Sequence, residues 1–267
     1  MIKKYTYGTP FPTESVTEQF AASEGMPEFG TIHLQEGFSF TCKLRDEDAV
    51  YGLGEANRGI NKRGYQYISN NSDNPHHHED VYSLYAAHNF IIVSGEQTFG
   101  LYFDYPSTLT FDVGYTRSDE LHIFCDRADL DLYVITGGNP YDITKQFRKM
   151  IGRSYIAPKF AFGFGQSRWG YKTPEDFVAV AEKYRENHIP IDMVYMDIDY
   201  MDNYKDFTVN EEFRDFPQYV ENLKKDHIRL VPIIDAGVKI EEGYDVYEEG
   251  VKKNYFCKRQ DGSDFVA

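Results

Sequence analysis

The sequence predicts two structural classes in one chain: an antiparallel β-sandwich over residues 1–155, then a parallel α/β segment over residues 156–267. Three observations carry this. Short runs of strand-forming residues recur between turn signals throughout the first half. A capped amphipathic helix closes that half. After Pro158 the pattern changes to strand, helix, strand, helix.

In the first half, strands are expected at Phe38–Leu44, Tyr65–Ser69, Asn89–Val93, Phe99–Phe103, Thr108–Val113, Leu121–Cys125 and Leu130–Ile135. Ser94-Gly95-Glu96 has the composition of a hairpin loop between two of them. Asn139 is an N-cap and Pro140 suits the first helical position. Ile143, Phe147, Met150 and Ile151 follow at helical spacing as one apolar stripe. The stretch from Ser154 to Lys159 reads as a boundary.

In the second half, Phe160–Gln166 is expected as a strand. Thr173-Pro174-Glu175-Asp176 caps a helix whose apolar face is Phe177, Val180, Ala181 and Tyr184. Asp192–Asp197 is a second strand, Phe216–Asp226 a helix, Ile228–Asp235 a third strand and Tyr244–Asn254 a helix. Three β/α units in succession imply parallel strands joined by crossovers. A closed barrel takes eight strands and roughly 250 residues, so any barrel is expected to be incomplete in this chain.

Composition bounds the partners. The chain has 267 residues, with 28 basic against 43 acidic side chains and a net charge of −15. That balance repels nucleic acid and anionic membranes and is compatible with a neutral ligand such as a sugar. Tyr and Phe supply most of the 16% aromatic content, which suits sheets first and sugar-stacking surfaces second. No apolar run is long enough to span a bilayer. Three cysteines (Cys42, Cys125 and Cys257) show no metal-type spacing, and MIKKYTYGTPFPTES has no apolar segment behind its lysines. A cytoplasmic protein without a signal peptide is the expectation.

Candidate chemistry gathers at strand ends. IDMVYMDIDYMDNY (Ile191–Tyr204) runs from apolar residues into Asp197, Asp199 and Asp202. Ligands bind at that end of parallel strands. If Asp197 and Asp199 both lie in strand conformation they share a face about 6.6 Å apart, a spacing suited to glycosidic acid and nucleophile. The alternative is one carboxylate for a ligand hydroxyl and the other as a cap or ion-pair partner. Arg168 and Trp169 follow the first strand, and Asp235-Ala236-Gly237-Val238 ends the third. Trp169 suits sugar stacking or loop anchoring about equally.

Three further features are weaker. His76-His77-His78 alternate direction in extended chain, so a polar loop is favoured over a metal site. Asp73 lies on a long polar loop able to reach a neighbouring site. Gly52-Leu53-Gly54-Glu55 begins a dinucleotide fingerprint without completing it.

Tyr51-Gly52-Leu53-Gly54-Glu55, Phe162-Gly163-Phe164-Gly165-Gln166-Ser167-Arg168-Trp169-Gly170-Tyr171, Tyr195-Met196-Asp197-Ile198-Asp199-Tyr200-Met201-Asp202 and Asp206-Phe207-Thr208 together resemble glycoside hydrolase family 31, which contains α-glucosidases and α-xylosidases. The resemblance implies a β-sandwich followed by the first three β/α units of a (β/α)8 TIM barrel, and retaining hydrolysis of terminal non-reducing α-linked glucose. It implies that Asp197 bonds sugar hydroxyls, that Ile198, Trp169 and Val238 wall the pocket, and that Asp73 reaches the sugar beyond the scissile bond. No metal and no cofactor are implied; the partner is an α-glucoside or small oligosaccharide, and self-association into a homo-oligomer is compatible with an open sheet edge. The family's nucleophile lies in a W-x-D-M-N-E-P type motif on a later strand, with the acid/base further along. Neither motif occurs here. The nucleophile and the acid/base are therefore expected beyond Ala267, no catalytic carboxylate is expected in this chain, and the 267 residues alone should not turn over substrate. The alternative function is a non-catalytic carbohydrate-binding protein.

Overall fold

In the computed structural model, residues 1–266 are described, and the chain divides into two compact units, Met1–Ser154 and a second one from Tyr155 onward. Ala267, the last residue of the expected barrel segment and the position beyond which the two catalytic carboxylates are expected, lies outside the described residues. The first unit contains β1 (Ile2–Tyr7), β2 (Thr31–His33), β3 (Phe38–Lys43), β4 (Ala49–Gly54), β5 (Tyr65–Ser69), β6 (Ala87–Ser94), β7 (Phe99–Asp104), β8 (Leu109–Val113), β9 (Glu120–Cys125), β10 (Leu130–Thr136) and helix α1 (Pro140–Met150). Two five-stranded antiparallel sheets result, ordered β1-β10-β7-β6-β4 and β2-β3-β9-β8-β5.

Alternation in the strands builds the sandwich. Phe38, Phe40 and Cys42 on β3 point inward, as do Leu109, Phe111 and Val113 on β8 and Phe99, Leu101 and Phe103 on β7. All belong to one buried cluster drawn from both sheets, the arrangement expected when each sheet hides one face. The outer face of the first sheet is buried in turn: Ile92, Tyr133 and Ile135 pack with Ile143 and Met150 of α1. Asn139 caps α1 by accepting from the Asp142 amide at 3.0 Å, with Pro140 at the helix start.

Three strands lie outside the expected set, and each has a reason. β1 pairs along β10 with only Tyr5 fully buried; Lys3 and Lys4 dilute its apolar signal. β2 is three residues long. β4 is hidden by its glycines, which read as a loop. Gly52 and Gly54 have φ of 123° and 77° at a register shift against β6, and a Cβ on Gly52 would lie 2.2 Å from the Phe90 carbonyl oxygen. Here the glycines make a bulge in a paired strand.

The second unit contains β11 (Gly165–Gln166), α2 (Pro174–Glu186), β12 (Met193–Met196), α3 (Phe216–Lys225), β13 (Arg229–Pro232) and α4 (Asp245–Lys253). β11, β12 and β13 form a parallel sheet in sequence order. Its core joins Phe177 and Ala181 of α2 to Val194 and Met196 of β12, with Phe213 and Leu223 from the α3 region.

The expected strand over Phe160–Gln166 is corrected to two residues. Lys159–Phe162 forms a 3-10 turn, and pairing begins at Gly165. The backbone passes so close to β12 that a Cβ on Gly165 would stand 2.6 Å from the Tyr195 ring. The apolar letters of this segment therefore do not all mark a buried strand: Phe162 and Phe164 are exposed.

Helix α2 starts with a full capping box: the Thr173 hydroxyl accepts from the Asp176 amide, and the Asp176 carboxylate accepts from the Thr173 amide at 3.0 Å. These backbone donors, that of Lys172 first, hold the Asp176 carboxyl below its ordinary range. A depressed folded value means the contribution is present above the unfolded carboxylate pKa and fades as pH falls through the folded one. Thr173→Ala should lower the stability of this unit by about 1 kcal/mol, measurable as a shift of the urea midpoint with unchanged slope.

Candidate functional site

The central strand β12 determines where the site lies. Val194 and Met196 are fully buried, and the chain turns polar at the next residue. Asp197 (φ −84°, ψ −178°) is the N-cap of a 3-10 turn, Ile198–Tyr200, and its carboxylate accepts from the Ile198 amide at 2.8 Å. The condition for Asp197 and Asp199 to share a strand face is not met: the strand stops at Met196, and both residues fall in the turn that follows.

Asp199 reaches the preceding strand's loop. One of its carboxylate oxygens accepts from the Gly170 amide at 3.1 Å, while its carbonyl accepts from Asn210 Nδ2 at 2.7 Å. Gly170 has φ of +102°, a conformation that a side chain would strain. The turn so formed leaves Trp169 69% exposed and tethered, through its neighbour, to the end of β12.

A second set of bonds joins the loops after β12 and β13. Asp206 is 3% exposed, and its carboxylate accepts from the Asp235 amide at 3.0 Å. The Asp206 carbonyl accepts from the Tyr244 hydroxyl at 2.7 Å, and the Tyr200 hydroxyl donates to the Ile233 carbonyl at 2.8 Å. Burial, followed by the nearby Asp206 and Asp235 charges, pushes the Tyr200 hydroxyl up from its usual pKa, so it remains a donor. Lys205 bridges Asp202 at 3.1 Å and Glu241 at 3.2 Å. Hydrogen bonds from Lys239 and Lys205 hold the Glu241 carboxyl below its ordinary range.

The same loop stores backbone strain. Asn203, Tyr204 and Phe207 have φ of 51°, 60° and 63°. For the two aromatic residues this is a costly conformation, and such residues cluster at functional loops. Both rings are exposed, so Trp169, Tyr204 and Phe207 offer three aromatic faces on loops leaving the carboxyl ends of β11 and β12.

Of the sequence-derived residues, Trp169, Asp197, Ile198 and Val238 all follow the carboxyl ends of the three parallel strands, and Ile198 and Val238 are half-buried. Asp73 belongs to the first unit, on the exposed loop between β5 and β6, where its carboxylate accepts from the Tyr85 hydroxyl. His76, His77 and His78 lie exposed on that loop, with His78 paired to Asp80. The tethering roles of Asp199 and Asp206 were not anticipated. Asp206 opens Asp206-Phe207-Thr208, yet nothing local in the sequence places its carboxylate under the Asp235 amide.

Both halves match models of one family. The model described as the glycosyl hydrolases family 31 TIM-barrel domain matches residues 154–267, and that of the glycosyl hydrolase 31 N-terminal galactose mutarotase-like domain matches residues 7–112. The chain belongs to glycoside hydrolase family 31. Its parallel segment is therefore the first three β/α units of a TIM barrel. Alpha-glucosidase 2 of Bacillus thermoamyloliquefaciens is 36% identical over 88% of this chain and 30% of its own length. An alpha-glucosidase of Saccharolobus solfataricus is 26% identical over 99% of this chain and 39% of its own. The chain thus spans less than two-fifths of either relative. Among solved structures, a family 31 dextranase of Flavobacterium johnsoniae bound to isomaltotriose superimposes with a TM-score of 0.74 at 22% identity, over 87% of this chain and 30% of that one. The endoplasmic-reticulum glucosidase II complex gives 0.74 at 24%, over 86% and 28%. These two likenesses establish the fold.

Proposed function

We propose that this chain supplies the sandwich and one wall of the glucose pocket of a retaining exo-α-glucosidase, acting on terminal non-reducing α-linked glucose. One observation carries the reading: three parallel strands deliver Trp169, Asp197 with Ile198, and Val238 at the same sheet end, with Asp197 leaving the central strand. In this reading Asp197 accepts from sugar hydroxyls, Trp169 stacks on a ring face, Ile198 and Val238 exclude water, and Asp73 reaches the sugar beyond the scissile bond. The α-glucosidases among the relatives support the substrate class. Two buried thiols, Cys42 and Cys125, suit a reducing, cytoplasmic compartment.

Retaining hydrolysis needs two carboxyl groups about 5–5.5 Å apart with free oxygens. At this sheet end Asp199 is bound to Gly170 and Asp206 to the Asp235 amide. The W-x-D-M-N-E-P type motif that carries the family's nucleophile does not occur in these 267 residues, which on this reading should bind maltose without cleaving glucosides. Incubation with p-nitrophenyl α-glucoside tests this: no release above that of the Asp197→Ala chain is expected, and release above it would refute the assignment. A carbohydrate-binding protein without catalysis is the second reading, favoured by the same engagement of Asp199; a glucosidase activity of the intact protein that depends on Asp197 would exclude it.

A further inference from the structure

Arg58 is a buried cation whose closest partners are carbonyls and aromatic rings. It is 7% exposed, and among the described residues no carboxylate lies within ion-pair distance of it. Its guanidinium lies instead against three tyrosine rings, 4.3 Å from the centroid of Tyr65, 5.1 Å from Tyr67 and 5.9 Å from Tyr82. Nε donates to the Glu79 carbonyl and a terminal nitrogen to the Gln66 carbonyl, both at 2.7 Å. A buried guanidinium is tolerated where carbonyls and ring faces replace water. Burial, and then the Arg58 charge, lower the pKa of the neighbouring Lys62 ammonium, whose Nζ lies 5.8 Å from the Tyr67 ring centroid.

The two carbonyls belong to different segments. Gln66 is on β5, whereas Glu79 is in the irregular loop from residue 70 to residue 86, which also carries Asp73. At the base, this loop is held by the Ser72 amide donating to the Leu84 carbonyl at 2.9 Å and the Ala87 amide donating to Asn71 at 2.8 Å. Its tip, residues 74–81, bonds to the rest of the described residues through two donors: Arg58, and Asn57 Nδ2 to the His78 carbonyl at 3.2 Å. Other tip bonds are internal.

We infer that Arg58 is a positioning residue: it staples the tip of this loop to β5 and so, together with the Tyr85 hydroxyl that donates to the Asp73 carboxylate, sets where Asp73 is presented. The step from loop to sugar rests on the role proposed for Asp73; the staple itself does not. Lysine keeps the charge but lacks the planar fork that serves two carbonyls and three rings together, so Arg58→Lys is the informative variant, with Arg58→Ala beside it.

Two measurements on the whole chain decide the matter. Endoproteinase Glu-C cuts beside Glu79 and Asp80, and its rate on Arg58→Lys should rise about tenfold as the tip opens, while the melting of the sandwich stays within a few degrees. Maltose affinity by calorimetry should fall about tenfold in Arg58→Lys and in Asp73→Asn, with no further loss when the two are combined. Unchanged cleavage in Arg58→Lys overturns the staple. Faster cleavage with unchanged affinity, while Asp73→Asn still weakens binding, overturns the link to Asp73. Unchanged affinity in Asp73→Asn itself refutes the role of Asp73, and the link falls with it, although the cleavage result stands.

Discussion

Phe177→Ala should unfold the second unit at temperatures where the unsubstituted chain is folded, with a loss of about 3–5 kcal/mol, the range for removing a buried phenylalanine. Phe177 is fully buried on α2, and its ring meets Tyr171 at 5.1 Å, Phe213 at 6.2 Å and Tyr219 at 6.3 Å. Those partners come from the loop after β11 and from the α3 region, so one side chain joins three of the segments that surround β12. Few compensating contacts are at hand in a small core, and the cavity would sit at its centre. Urea unfolding followed by the fluorescence of Trp169, the single tryptophan, reports this unit. A midpoint unchanged from that of the parent chain would show that α2 is not the element holding the strand ends in place.

Where the pattern of residues was strong and local, the fold was legible. Asn139-Pro140 and Thr173-Pro174 marked two helix starts because capping uses side chains within three residues. Short runs of strand-forming residues between turn signals marked β3, β8 and β9, and each buries a side chain at every second position. Legibility failed where a residue's meaning depends on a distant segment. Gly52 and Gly54 resemble a loop until β6 is beside them. Phe160 to Phe164 resemble a buried strand, but Lys159–Phe162 turns as a 3-10 helix and pairing begins only at Gly165, where the backbone lies against the Tyr195 ring. At the candidate site, the common end of three strands followed from the β/α order. The bonds of Asp199 to Gly170 and of Asp206 to Asp235 each span 29 residues, and no periodicity encodes them.

Those bonds separate two aspartates that look interchangeable in Asp197-Ile198-Asp199. Among the described residues, the Asp197 carboxylate accepts only from the amide of its own neighbour, so its removal costs the fold little. On the proposed reading it removes a carboxylate from the sugar, and charged hydrogen bonds are worth about 1.5–3 kcal/mol each. Asp197→Ala should therefore weaken maltose binding at least tenfold, or about 1.4 kcal/mol, with melting nearly unchanged. Asp199→Ala should do the reverse in kind. It frees Gly170, and with it the turn presenting Trp169, so the emission of that tryptophan should shift even without sugar, and affinity should fall by less. Titrating maltose while reading tryptophan emission measures both effects in one experiment. A sugar-induced change that persists in Asp197→Ala at unchanged affinity would mean that the carboxylate ending β12 faces no hydroxyl, and the sugar would have to be sought elsewhere on the chain.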